Sequence, residues 1–304
     1  MNKSWNTYVG MTRRNVLVYY KDKVAVFFSL LTPIIVLGLY VLFLKDSYTS
    51  GLSDLKKVIS ADDIDAVINS WLIAGVLGTA VVTVALNSFS TMVSDRQNKI
   101  DYDYKSTPAK SYCVVLSYLT AAVINTFIMC AVILTVSIVV LSMSDIYYGT
   151  AADILKTYGI VALGSVSSSL ILMFLTSFIK KSSTLSSFGT IISTAVGFVI
   201  GAYVPVSQFD ESVQNMLNLV PGSQIAGMLR QKIMGPTISS ITDQLSGSAK
   251  KLVTDNINVA FSVDLKIFGD YRKMNFMIIY SVAAIALFLV LNLIVFRFNS
   301  KNKD

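Results

Sequence analysis

The chain has 304 residues, 54% of them hydrophobic and 14% charged, with a mean hydropathy of +0.63, a balance that excludes an ordinary soluble domain. It contains no histidine, which removes imidazole metal sites, Ser-His-Asp triads and histidine proton relays together. The net charge of +7 sits in short segments beside apolar runs, a pattern that fits membrane topology better than nucleic-acid binding.

In residues 1–23, Trp5, Tyr8, Val9, Thr12, Val16 and Tyr19 or Tyr20 recur at helical spacing, with Arg13, Arg14 and Lys21 on the other side. This predicts an amphipathic helix lying in a membrane interface; a plain positive flank for the next segment is the alternative. Six apolar runs follow: Val24–Leu44, Ile68–Val93, Tyr112–Met143, Ile154–Ile179, Thr184–Val204 and Phe276–Phe296. About 20 helical residues cross a hydrocarbon core of about 30 Å. Lipid offers no partner to backbone N–H and C=O groups, so each span must be a helix. The expected fold is an all-α polytopic membrane protein with six transmembrane helices. The third run is too long for a perpendicular crossing and must tilt or protrude. The first begins near residue 24 and is long enough to stay in the bilayer, so no cleavable signal is expected. Cys113 and Cys130 lie 17 positions apart on the third run, about 25 Å along a helix, and cannot bond each other within one chain.

Basic residues set the orientation. Lys3, Arg13, Arg14, Lys21 and Lys23 precede the first span. Arg96, Lys99, Lys105 and Lys110 follow the second, Lys180 and Lys181 the fourth, and Arg297, Lys301 and Lys303 the sixth. Loop 45–67 sets its Lys residues against five Asp, and loop 144–153 has no Lys or Arg. Both termini are therefore expected in the cytoplasm and the protein in the cell membrane. The domains read as an elbow helix, 1–23; spans one to five, 24–204, with a cytoplasmic loop at 94–111; an outer segment, 205–275; and the sixth span with its tail, 276–304.

In the outer segment, Pro205 is expected to stop the fifth span. Phe209, Val213, Met216, Leu217 and Val220 fit one helical face that Pro221 breaks. Ser223 is placed to cap a second short helix ending at Gly235-Pro236. Ile257, Val259, Phe261, Val263 and Leu265 alternate with mostly polar residues, which predicts an extended stretch.

No Asp, Glu, Lys or Arg lies centrally in any span, Lys156 standing only at the edge of the fourth, which argues against a proton-driven carrier. Gly75, Thr79, Thr83, Asn87 and Thr91 recur every four residues in the second span, and Gly189, Ser193, Gly197 and Gly201 in the fifth. Small residues on such ridges let helices approach closely. For the fifth span packing is the leading reading; for the second, packing and the lining of a polar route stand level. The hydroxyls of the fourth span, Ser165 to Ser169 and Thr176, and the lone amides Asn125 and Asn292, are assigned to helix packing and interhelical hydrogen bonds.

Asp95-Arg96 after the second span and Thr107-Pro108 before the third resemble the permeases of ABC type-2 exporters, in which an acidic-Arg-acidic-x-Gly-Thr stretch leads to Thr-Pro. Here Gln97 replaces the second acid, and Lys99 stands where the glycine usually lies. Arg14-Asn15, Tyr20-Lys21-Asp22 and Leu31-Thr32-Pro33 resemble the family's N-terminal pattern. Pro205, Leu219-Val220-Pro221 and Arg230 resemble its outer re-entrant helices between spans five and six. Residues 237–270 look like an insertion.

The chain has no G-x-x-x-x-G-K-[ST], so it is not expected to be an enzyme itself. The resemblance implies a separate ABC ATPase in two copies, carrying ATP and Mg, and a second permease, identical or homologous. In that arrangement Asp95, Arg96, Gln97, Lys99, Asp101, Thr107 and Pro108 form the ATPase-coupling turn, helped by Arg13, Arg14 and Lys21. Gly75, Thr79, Thr83, Asn87, Gly189, Ser193, Gly197 and Gly201 line the route or the dimer interface. Phe209, Val213, Leu217, Pro221 and Met228 form an outer gate. The expected function is ATP-driven export of an amphipathic cargo such as a peptide antibiotic, a drug or a lipid-like compound. An ion-coupled carrier and a non-transporting sensor or scaffold are the alternatives. Membrane lipid is an expected partner and nucleic acid is not.

Overall fold

A computed structural model describes residues 3–39, 59–100, 104, 110–143, 148–245 and 247–301. Two helices meet at an elbow: α1, Lys3–Lys21, and α2, Lys23–Leu39. Asp22 stands between them, and its Oδ1 accepts from the N–H groups of Val24 and Ala25 at 3.1 and 3.0 Å, capping α2. Residues 40–44 of the expected first span lie outside the described residues.

α3, Ala61–Ser88, runs on through a turn at Phe89 into α4, Ser90–Gln97. α5 is Ser111–Met143, α6 Ala151–Thr176 and α7 Ser182–Val199. Among the described residues, five helices are long and apolar enough to cross a membrane: α3 with α4, α5, α6, α7, and the final α11, Met274–Lys301. α2 contributes a shorter apolar stretch, Lys23–Ile35. The all-α polytopic architecture is as the apolar runs predict.

α3 and α6 begin earlier than hydropathy alone placed them. Ser60 and Asp63 form a capping box at the start of α3, and Thr150 and Asp153 form another at α6. α7 ends earlier than expected. It stops at Ile200, and Gly201 takes a left-handed φ of +70°, so Pro205 is not the terminator; it leads a 3-10 turn, Val206–Gln208.

The segment beyond corrects several expectations. α8, Glu211–Asn218, excludes Phe209, which is extended. Pro221 opens the next helix rather than breaking one, because the first helical position needs no N–H. That helix, α9, runs Pro221–Thr242, straight through Gly235-Pro236. Ser223 does not cap it; its hydroxyl donates to Leu217 O at 2.7 Å and Val199 O at 3.1 Å. Ile257 and Val259, read as extended, are helical in α10, Gly247–Ala260, because Val253 and Ile257, a turn apart, both bury against α3. Among the described residues, strand structure is confined to a hairpin, β1 Leu265–Ile267 with β2 Asp270–Arg272, antiparallel with Leu265 opposite Arg272.

α3 is the axis of the molecule, and the core is tiered along it. At its first turns Ile64, Ile68 and Trp71 pack with Val253, Ile257 and Phe261, the Trp71 and Phe261 rings 5.6 Å apart. In the middle Leu77 and Val81 meet Leu134, Val161, Ile225 and Leu229. At its last turns Leu86, Phe89 and Val93 meet Tyr118, Met173 and Leu185. α9 lies antiparallel to α3: Gly222 is near Val82, whereas Thr237 Oγ1 is 3.2 Å from Ser70 Oγ. The N-terminus of α9 is thus sunk beside the middle of α3. The end carrying α1, α4 and the α6–α7 link is termed the elbow end, and the end carrying α10 and the hairpin the far end.

Candidate functional site

Three consecutive side chains of α4 tie the elbow end together. Asp95, 4% exposed, accepts two hydrogen bonds from Arg14 of α1, one of them from Nη2 to Oδ1 at 2.9 Å. It also accepts from the Tyr118 hydroxyl of α5 at 2.5 Å. The forked guanidinium and planar carboxylate match bidentately, which makes this pair directional as well as attractive. Next to it, Asn15 donates to Ser117 Oγ at 3.2 Å.

Arg96 points the other way. Its Nη1 donates to the carbonyls of Thr176, Ser177 and Ile179 at 3.4, 3.1 and 2.6 Å. Those are the orphan acceptors at the C-terminus of α6, where a cation is favoured by the helix dipole. Gln97 Oε1 accepts from the Ser182 N–H at 2.6 Å, satisfying a donor at the start of α7. Asp95, Arg96 and Gln97 therefore hold α1 and α5, α6, and α7 respectively. The turn then ends at Lys99, exposed and at φ +60°, with Lys99 N–H bonded to Arg96 O at 3.3 Å.

Arg14, Asp95 and Arg96 serve contacts inside this chain, while Arg13, Lys21 and Lys99 are exposed. Asp101, Thr107 and Pro108 lie outside the described residues. Asn15, Ser117 and Tyr118 complete the clasp; Asn15 belongs to the N-terminal pattern noted in the sequence, whereas Ser117 and Tyr118 have no sequence signal of their own and emerge only when α1 crosses α5.

The ridge of α3 faces inward. Thr79 and Thr83 are fully buried and Gly75 abuts Ala202. Thr83 has a specific task. Pro33 in α2 has no N–H, which leaves the carbonyl of Ser29 without its helical partner. Thr83 Oγ1 donates to that carbonyl at 3.0 Å. Asn87 donates to Thr83 O at 3.0 Å within its own helix. In this chain the ridge is packing, not an open wall.

The ridge of α7 behaves the same way. Gly197 is buried, and a Cβ there would lie 2.2 Å from the Tyr203 ring, so any side chain would have to displace that ring. Gly189 would meet only Leu86, at 3.7 Å, and Ser193 is half-buried. Gly201 is held by Arg230, which donates to its carbonyl at 2.8 Å, to that of Ile200, and to Ser262 O at 3.3 Å. Arg230 is fully buried on α9 and caps the end of α7, as Arg96 caps α6. The face of α7 turned away from the chain is different in kind. Ser183, Ser186, Ser187, Thr190 and Thr194 are exposed along it, flanked by Ile191 and Phe198. An apolar spanning helix here offers a strip of hydroxyls to whatever lies beside it.

The residues expected to form an outer gate are not gathered in one place. Val213 and Leu217 are half-buried on α8, Phe209 precedes it and Pro221 begins α9, whereas Met228 is 0% exposed in the middle tier of the core. Asn125 and Asn292 make the interhelical bonds expected of them, Asn125 to Ser88 Oγ at 3.4 Å and Asn292 to Leu170 O at 2.9 Å.

Residues 7–234, most of the chain, match the ABC-2 type transporter family, and no curated protein matches it. The match spans α1 to most of α9, and so includes both the clasp and the hydroxyl face of α7. Membership implies association with an ABC ATPase. With its apolar helices, this makes the chain a multi-pass membrane permease subunit that belongs to the ABC-2 type transporter family.

Proposed function

We propose that this chain is the membrane half of an ATP-driven exporter, with α1, α4 and the α6–α7 link on the cytoplasmic side. A separate ATPase docks beneath the exposed end of the α4 turn, at Lys99, with Arg13 and Lys21 nearby on α1. Two such permeases face each other, and the hydroxyl strip of α7 with its counterpart lines the route. The cargo is amphipathic, since the strip mixes Ser and Thr with Ile191 and Phe198 and carries no charged side chain along Ser183–Phe198. ATP-driven closure of the ATPases biases the pair between two arrangements.

The observation that carries this reading is the clasp. A displacement applied to one turn reaches α1, α5, α6 and α7 through Asp95, Arg96 and Gln97 without any intervening flexible linker. Small shifts at such a packed junction are transmitted as discrete rearrangements rather than absorbed.

The test is purification of the full chain in mild detergent followed by reconstitution of what accompanies it. An ATP-binding subunit in fixed ratio is expected, with Thr190→Cys reacting with a polar thiol reagent at a rate that changes when ATP is trapped by vanadate. A chain that emerges alone, with Thr190→Cys indifferent to nucleotide, overturns the reading.

A further inference from the structure

A groove of about 350 Å³ separates the outward side of α1 from α5. Its walls are Val9, Val16 and Leu17 on α1 and Ile124 on α5, and the Tyr8 hydroxyl meets Thr120 Oγ1 at 2.7 Å, so that polar pair is already satisfied. The groove is open, and it continues into the exposed apolar side of α5, where Ile128, Val132 and Val136 follow one another at helical spacing. A spanning helix turns such a stripe to acyl chains. At the rim stands Arg13, exposed and part of the lining. Trp5, 58% exposed on α1, and Tyr112 with Lys110 over its ring at 5.9 Å, at the start of α5, mark the level of the headgroups. Of the acidic residues that meet α1, Asp95 is taken by Arg14 and Asp22 by the start of α2.

We infer that this groove is a binding site for one anionic phospholipid of the adjoining leaflet, an acyl chain lying between α1 and α5 and the phosphate on Arg13. Charge complementarity selects the occupant: the groove is apolar, and the charged side chain among its lining residues is the cation Arg13. A neutral amphipath satisfies the walls but not the rim. The consequence is regulatory. Arg13 adjoins Arg14, whose pair with Asp95 anchors the clasp, so a lipid seated here holds α1 in the position that the clasp requires. The binding itself does not depend on the exporter reading.

The experiment uses the full chain in phosphatidylcholine nanodiscs carrying a trace of phosphatidylglycerol with a photoactivatable tail. A parallel set carries phosphatidylcholine with the same tail. After irradiation the labelled peptides are mapped. The phosphatidylglycerol probe should label the peptides around residues 8–17 and 116–124 about fivefold more than the phosphatidylcholine probe, the effect of one basic residue at an anionic headgroup. Arg13→Gln should bring the two probes to the same level, and Val9→Trp, which fills the groove and keeps the charge, should lower both. Both positions are exposed, so an unchanged melting temperature verifies that the variants are folded. Equal labelling by the two probes, labelling no denser here than along α11, indifference to either substitution, or cross-links to a second protein in place of lipid would each overturn the assignment.

Discussion

At the scale of single residues, polar side chains in this membrane protein answer backbone groups that neighbouring residues leave open. Thr83 serves the Ser29 carbonyl that Pro33 orphans. Thr83→Val should therefore cost about 1–3 kcal/mol, the penalty of a buried acceptor left unpaired. The same substitution made with Pro33→Ala, which restores the N–H, should cost much less. Melting temperatures of the four proteins in detergent read this directly, and equal losses with and without Pro33 would remove the explanation. Lys99 is the second case. In the resembling family a glycine usually stands at this position, and here a lysine occupies a left-handed conformation at φ +60°. Lys99→Gly should stabilise the protein by about 1 kcal/mol by relieving that conformation, whereas Lys99→Ala should not. A loss of stability in the glycine variant would show that the side chain matters more than the turn.

At the scale of elements, the α4 turn is a junction whose parts are coupled. Arg14→Ala and Asp95→Ala each remove one half of a bidentate pair, and Asp95→Ala also strands the Tyr118 hydroxyl. The double variant should be less destabilised than the sum of the two by about 1–3 kcal/mol, as expected of residues in direct contact. Denaturation of the four proteins measures that term; strict additivity would mean that the pair contributes nothing to the junction. Arg96→Glu is a poor probe of any partner surface, because it places a carboxylate among the carbonyls that end α6. Lys99→Glu is the cleaner test of docking, since Lys99 is exposed.

At the scale of the whole molecule, α3 and α9 pack closely along their length, antiparallel from Val82–Gly222 to Ser70–Thr237. Arg230 then fastens α9 to the end of α7. These three helices should move as one body during transport. A disulfide engineered as Ser70→Cys with Thr237→Cys should form readily and leave transport intact. Transport abolished by oxidation and restored by reductant would show instead that α9 slides on α3.

Hydropathy and the demand that lipid-facing backbone be satisfied were enough to determine an all-α polytopic chain and the approximate place of each span. The order of several short motifs along the chain, Asp95-Arg96 and Thr107-Pro108 among them, pointed to the family that the match over residues 7–234 shows. Two helix starts lie earlier than hydropathy placed them, because the capping boxes Ser60–Asp63 and Thr150–Asp153 set them rather than the apolar runs. Only the tertiary structure decided what the polar residues do. Periodicity ranks Thr83, Gly197 and Ser193 alike, since it reports a face and not its neighbour; a proline on α2 and a tyrosine after α7 determine the roles of Thr83 and Gly197. The alternation from Ile257 to Leu265 looked extended because alternating and helical spacing coincide at every fourth residue, and packing on α3 chose the helix. Arg14, Asp95 and Arg96 read as surface charges for the same reason: their partners, Tyr118 and the end of α6, are far away in sequence and close only in the fold.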